Sequence, residues 1–354
     1  MQQNEMYDLT IIGAGPAGLY STFYAGMRDL KVKLIEYNSE LGGKILFYPE
    51  KIIWDVGGMP PTPGATLIDQ LVNQANTFDP TICTNEHIEK MVREPDGTFT
   101  LFNDKGEKHY SKTVLLASGH GIPVMQKLEL EGADRFEVAN LHYTVTQIES
   151  FRDKRVLISG GGNAAVDWAN ELVGVAKEVI VCHRRHDFGG HEKNVAHMKS
   201  KVELRTPFQI KELHGERTSI DSVTLSHCDS ELEERFDIDA VIVNHGMKMD
   251  GCFLMEAGLE LEADGFVRVS PCMETSQPGI FAAGDVTRHA GKLQLISGAF
   301  VEGATAVNGV KQYLDPAATK QAFVSSHNEK FKQRNQEIKI EHKHKDKRKK
   351  LEFT

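Results

Sequence analysis

The sequence predicts an α/β fold with two dinucleotide-binding βαβ units of the Rossmann kind, and three observations predict it. A strand–glycine turn–helix pattern begins at Tyr7. The same pattern returns at Arg155. Each is followed, at the same offset, by a second strand ending in a polar residue suited to a nucleotide ribose.

In the first unit, Tyr7-Asp8-Leu9-Thr10-Ile11-Ile12 is a short β-branched apolar run. It leads into Gly13-Ala14-Gly15-Pro16-Ala17-Gly18 and then a helix-like stretch, Leu19 to Ala25. Gly13 permits the tight turn, Gly15 lets backbone approach a pyrophosphate, and Gly18 lets helix and strand pack closely. The helix N-terminus presents a partial positive charge to phosphate. A second strand, Lys31 to Ile35, ends in Glu36, 23 residues after Gly13. That is close to the offset of roughly 20 for an acid that bonds a ribose 2′-OH.

The second unit repeats the plan. Arg155-Val156-Leu157-Ile158-Ser159 is the strand, Gly160-Gly161-Gly162-Asn163-Ala164-Ala165 the turn, and Val166 to Leu172 the helix. Its second strand, Glu178 to Cys182, ends at His183-Arg184-Arg185, with His183 again 23 residues after the first glycine. A carboxylate there would repel a 2′-phosphate, whereas guanidinium forks bind one. The second unit therefore reads as an NADP(H) site and the first as the site of FAD. Two further apolar runs fit a flavin domain: Lys112 to Gly119, and Pro278 to Val286, in which Gly284-Asp285 follows the strand and places an acid beside close backbone.

Composition sets the frame. A chain of 354 residues that is 40% hydrophobic and 26% charged is an ordinary globular protein of about two domains. No apolar run approaches the roughly 18 residues of a membrane span, and the N-terminal segment lacks a basic stretch before its apolar run. A cytoplasmic location is the default expectation. Net charge is −9, which disfavours nucleic acid as a partner. From Lys339 to the end there are seven Lys and Arg against three Asp and Glu, so a +4 tail follows a −13 body. That tail reads as a solvated terminus, or as an arm for an acidic partner. The five cysteines form no CxxC pair, so neither a zinc site nor a dithiol is expected, and no metal is.

These motifs, in this order, resemble the two-dinucleotide-binding flavoproteins in their small thioredoxin-reductase-like form. The resemblance runs from Tyr7 to about Phe331. It implies three-layer ββα domains, with the NADPH domain inserted into a discontinuous FAD domain. The FAD domain would comprise 1–120 and 250–354, with a basic tail from about 332, and the insert 121–249. Pro123 and Gly246-Met247 would lie near the crossings. Thioredoxin reductases carry a CxxC shortly before the second glycine turn. Here the matching positions fall near Tyr143 and Thr146, without cysteine. The branch with this fold and no CxxC is the thioredoxin-reductase-like ferredoxin/flavodoxin–NADP reductases.

Several local matches belong to that branch. Leu41-Gly42-Gly43-Lys44 with Leu46 to Lys51 resembles its flavin loop, in which Tyr48 would stack on the flavin; Lys44 stands where Gln is common. The C-terminal extension corresponds to Phe323 to Asn328, where Val324 replaces the usual aromatic lid and Ser326 would lie near the ring. The resemblance adds Ile88 and Pro123 to the FAD contacts and implies a homodimer. It implies hydride transfer from NADPH to flavin, then single electrons to ferredoxin or flavodoxin, with no acid–base residue or nucleophile required. Two alternatives remain: a thiol or disulfide reductase using a solitary cysteine such as Cys182, and a non-enzymatic NADPH sensor. Trp54 and Trp168 read as packing residues.

Overall fold

The computed structural model describes residues 5–250, 257–322, 325–332 and 335–336. Val324, Cys252 and the basic tail lie outside them. Among the described residues the chain forms two compact units. One contains 5–45, 52–122 and the residues from 257 onward; the other contains 46–51 and 123–250.

The first unit is built on a seven-stranded sheet. Thr81–Cys83, Val32–Ile35, Met6–Ile12 and Lys108–Leu116 run parallel in that spatial order, and Ile280–Ala282 pairs parallel to Lys108–Leu116. Phe99–Asn103 and Ile88–Arg93 extend the sheet as an antiparallel meander. The central strands have almost no polar alternation because both faces are covered: all of Val32–Ile35 is buried, and Val114, Leu115 and Leu116 are fully so. Helix Pro16–Met27 has proline in its first turn, where the missing N–H costs nothing. It packs closely on helix Ile296–Leu314: a Cβ at Gly303 would stand 2.4 Å from Ser21 Oγ.

The second unit has a five-stranded parallel sheet ordered Leu141–His142, Ala240–Val243, Arg155–Ser159, Glu178–Cys182, Glu203–Arg205. Its strands alternate cleanly between two cores. Leu157, Ile180, Val241 and Val243 face a cluster with Phe208, Ile210, Val223 and Leu225 of a three-stranded antiparallel sheet. Val156, Ile158, Val179, Val181 and Ile242 face Ala165, Trp168, Ala169 and Leu172 of helix Asn163–Leu172. The three layers are antiparallel sheet, parallel sheet and helix, the α/β class the sequence predicts.

The chain enters and leaves this unit through Ile122–Met125 and Met247–Asp250, which pair as a two-stranded ribbon, with Gln126 N–H donating to Gly246 O at 3.1 Å. No described helix is long and apolar enough to cross a membrane. Trp168 is a core residue, as expected, but Trp54 is 75% exposed. Replacing Leu172, fully buried beside Trp168, with alanine should therefore cost about 2–5 kcal/mol, read as an earlier urea transition in Trp168 fluorescence.

Candidate functional site

Each unit carries a glycine turn at the switch point of its parallel sheet, where strands on either side lead away in opposite sequence order. In the first unit, Gly13 (φ +102°) donates its N–H to Ile35 O at 2.8 Å. A Cβ there would lie 2.5 Å from Ala117 O, at the end of the neighbouring strand. A Cβ on Gly18 would stand 1.8 Å from Gly13 O, so the third glycine is demanded by contact with the first. Gly15 is different: its nearest neighbour is Gly43 Cα at 3.8 Å, which leaves room above the first residues of the helix. Pro16 opens that helix and Ala17 is buried beneath it. Gly42 N–H donates to Ala14 O at 2.9 Å, laying the Leu41–Lys44 loop along the turn with Lys44 exposed.

Glu36 is buried and does more than the spacing predicts. Its Oε2 accepts the Ala14 N–H at 2.6 Å, and its Oε1 accepts Asn38 N–H at 2.9 Å and Asn38 Nδ2–H at 3.0 Å. The carboxylate thus braces the glycine turn and still has acceptor capacity for a ribose hydroxyl. Beside it opens a recess of about 330 Å³ lined by Tyr37, Asn38, Ser39, Asn85, His87 and Asp104. Ile88, next to His87, is buried at the start of its strand.

Asp285 follows Ile280–Ala282, and the Gly284 backbone before it is fixed by residues that the motif reading missed. Glu302, in helix Ile296–Leu314, accepts Gly284 N–H at 2.8 Å, His289 Nε2 at 3.0 Å and Lys292 Nζ at 2.7 Å. Lys292 also donates to Gly284 O at 2.6 Å and Thr287 Oγ1 at 2.9 Å. Both charged side chains are only 7% exposed. Their sequence signal was available: Glu302 is the one charged residue between Ile296 and Val310. The clamp presses Gly284 against Ala17, where a Cβ would come within 2.9 Å. His120 Nδ1 lies 3.7 Å from Asp285 Oδ2, its ring edge-on to Phe266. Burial and then the Lys44 charge lower the His120 pKa.

In the second unit, Gly160 (φ +151°) has the same place as Gly13, its would-be Cβ 2.4 Å from Asn244 O. Gly162 caps the helix with no atom within 4 Å of a Cβ, and Gly162, Asn163 and Ala164 are exposed. Ala165, the third position, is fully buried. Arg184 and Arg185 are exposed, but His183 is not beside them in solvent. Its ring is buried over Gly161, where a Cβ would strike it at 2.3 Å, and lies 5.3 Å from the Phe188 ring. Burial and then Arg185 lower its pKa, so it packs as neutral imidazole.

The remaining sites are scattered. Tyr48 lies in the 46–51 segment that groups with the second unit. Pro123 lies in the crossing ribbon, and Ser326 is exposed in the short turn Ser325–His327. One cluster among the described residues has metal-ligand chemistry: Cys83, Glu86 and His109. It is closed by charge. Glu86 Oε2 is 2.6 Å from His109 Nε2, and Lys33 Nζ is 3.2 Å from His109 Nδ1. A lysine donating to Nδ1 puts the ring proton on Nε2, toward the carboxylate, which leaves no lone pair for an ion.

The family model for pyridine nucleotide-disulphide oxidoreductases matches residues 7–303. The chain belongs to that family. Ferredoxin–NADP reductase 1 of Shouchella clausii strain KSM-K16 is 76% identical over 341 residues, covering 96% of this chain and 98% of the relative. Ferredoxin–NADP reductase 1 of Bacillus pumilus strain SAFR-032 is 54% identical, covering 95% and 98%. Among solved structures, thioredoxin reductase of Lactococcus lactis superposes with a TM-score of 0.73 at 22% identity, over 87% of this chain and 99% of that one. The likeness shows a shared fold.

For a pyridine nucleotide-disulphide oxidoreductase, the thiols here are poorly disposed to disulphide chemistry. Cys83, Cys182, Cys228 and Cys272 are all unpaired. Cys182 donates to Phe208 O at 3.1 Å, and burial pushes its pKa up to about 12, so it holds no thiolate at neutral pH. Cys182→Ser should leave the number of thiols titrated by a disulphide reagent in the native protein unchanged. Glu302→Gln, which leaves Lys292 buried opposite a neutral amide, should lower the melting temperature, by about 3–5 kcal/mol of stability, and Glu302→Met with Lys292→Met should recover much of it.

Proposed function

We infer that the chain is a ferredoxin–NADP reductase, with FAD in the first unit and NADP(H) in the second. The observation that carries this reading is the contrast between two otherwise equivalent turns. One is braced by a buried carboxylate, Glu36, and the other is flanked by two exposed guanidiniums, Arg184 and Arg185. The 54–76% identity to relatives named ferredoxin–NADP reductase supports the acceptor, as does the lack of a dithiol at positions 143 and 146.

The residues present fit FAD. The open space at Gly15 and the helix N-terminus behind it would take the pyrophosphate, Glu36 a ribose hydroxyl, the recess at Tyr37 the adenine end, and Asp285 a hydroxyl of the flavin chain. Lys44, Ile88 and Ser326 are further FAD contacts in this reading, and the resemblance assigns Tyr48, Pro123 and Val324 to FAD as well. Bound FAD would supply two-electron acceptance from NADPH and one-electron release to an iron–sulfur protein or flavodoxin.

The protein's own part is positional. Gly160, Gly162, Asn163 and Ala164 offer backbone to the NADP pyrophosphate, and Arg184 and Arg185 take the 2′-phosphate. His183 supports the turn from below. The Glu302–Lys292 clamp holds Gly284-Asp285 in register with Ala17. Domains 1–120 with 250–354, and 121–249, divide the two nucleotides between them. Exposed Trp54, Leu293, Leu295 and Val301 on the first unit are apolar surface suited to a second copy, which supports a homodimer.

The purified protein should oxidise NADPH with ferredoxin, flavodoxin or ferricyanide as acceptor and leave thioredoxin oxidised; thioredoxin reduction equal to that of ferredoxin would overturn the reading. Arg184→Ala with Arg185→Ala should raise KM for NADPH about 10- to 100-fold while leaving KM for NADH little changed, measured with ferricyanide as acceptor.

A further inference from the structure

One residue at the switch point of the second unit is explained neither by the glycine turn nor by the arginines. Ser159 ends the strand Arg155–Ser159, in register with Val243 at the end of the parallel strand Ala240–Val243, and His245 follows two residues later. His245 Nε2 and Ser159 Oγ stand 2.8 Å apart. This bond ties the imidazole to the end of the neighbouring strand, beside Gly160, whose would-be Cβ meets the preceding residue, Asn244. Open parallel sheets bind their ligands in that crevice. Ser159 is buried and His245 is exposed, so the ring is anchored at one nitrogen on the protein side. Its Nδ1 makes no hydrogen bond among the described residues.

We propose that His245 is a phosphate-binding residue of the second unit, its Nδ1–H donating to the NADP(H) pyrophosphate while Ser159 holds the ring from the opposite nitrogen. The proposal rests on the reading of this unit as the NADP(H) site. A serine hydroxyl suits both ring states, because it donates to a bare Nε2 and accepts from a protonated one.

The titratable groups facing the ring are Arg184 and His183, both from the chain that follows Glu178–Cys182. Although the residue as a whole is exposed, desolvation of the ring beside buried Ser159, then Arg184, then His183, lower the His245 pKa in the free protein, which therefore holds it neutral near pH 7. A bound pyrophosphate brings the opposite charge and raises that pKa, so binding draws one proton from solvent onto the ring. Nucleotide affinity then strengthens as pH falls through the bound-state pKa. It levels off below the free-state pKa, which lies under the ordinary imidazole value of 6.5. The 2′-phosphate, held as a dianion by Arg184 and Arg185, releases protons over the same range; that release is common to wild type and variant and cancels in their difference.

The test is calorimetric titration of the flavin-loaded protein with NADP⁺ and with adenosine 2′-monophosphate, which lacks the pyrophosphate, in two buffers of different ionisation enthalpy. His245→Asn should weaken NADP⁺ about 10- to 100-fold, the size of a hydrogen bond to a charged group. It should also reduce proton uptake and leave adenosine 2′-monophosphate binding unchanged. Ser159→Ala should weaken NADP⁺ in the same direction by less. Unchanged NADP⁺ affinity and proton uptake in His245→Asn would overturn the proposal. So would equal loss of both ligands, which would make the residue a support of the turn. Failure of wild type to bind NADP⁺ at all would instead overturn the assignment of the second unit.

Discussion

The architecture depends on one close approach made twice. In each unit the first glycine of the turn lies so near the carbonyl at the end of the adjoining strand that no side chain fits: Ala117 O faces Gly13, and Asn244 O faces Gly160. Everything functional follows from that contact. It brings the turn to the switch point, aims the helix N-terminus at open space, and sets the second strand so that its last residue comes level with the turn. Glu36 and His183 occupy matching places 23 residues on, and both brace the turn from beneath. One does so as a hydrogen-bonded carboxylate, the other as a packed neutral ring. In the proposed reading, nucleotide selectivity is then left to what stands in solvent beyond them, which in the second unit is Arg184 and Arg185.

Much of this was legible in the sequence because glycine spacing and strand periodicity are local signals. Met6–Ile12, Arg155–Ser159 and Glu178–Cys182 fall where the apolar runs put them, and the two helices begin at the turns. The Glu302–Lys292 clamp is a contact between a loop and a helix ten residues on, and neither residue belongs to a nucleotide motif. A lone charge between Ile296 and Val310 was its only trace. His183 shows the opposite limit. Its position was right, but the ring turned inward over Gly161, because a glycine leaves a hollow that a flat side chain fills. Trp54 defeated the expectation that a large aromatic is packing, since its neighbours leave it exposed.

The buried polar groups divide into two kinds. Lys33, His109 and Glu86 cluster inside the first unit, adjoining the backbone that carries Glu36: Glu86 N–H donates to Glu36 O at 3.1 Å. Such a trio, packed against the backbone below a site, stiffens its base. Ser159 and His245 also meet, but at the edge of a crevice, where the ring keeps one nitrogen outward. The same two residue types, a histidine and a hydrogen-bonding partner, thus serve rigidity in one place and recognition in the other, according to what lies on the ring's far side.

The crossing ribbon has a consequence for how such a protein could arise and fold. Ile122–Met125 and Met247–Asp250 lie paired, so the ends of the inserted span are held roughly 5 Å apart, the spacing of neighbouring strands. To the host sheet, the whole insert is one long loop with a clamped neck. The entropy of closing a loop grows only with the logarithm of its length, about 0.6 kcal/mol for each doubling. A host already tolerant of a short hairpin at this point would be penalised only slightly for accepting an entire domain there. Gene fusion at a hairpin tip is therefore an inexpensive route from a single-nucleotide protein to one that handles two.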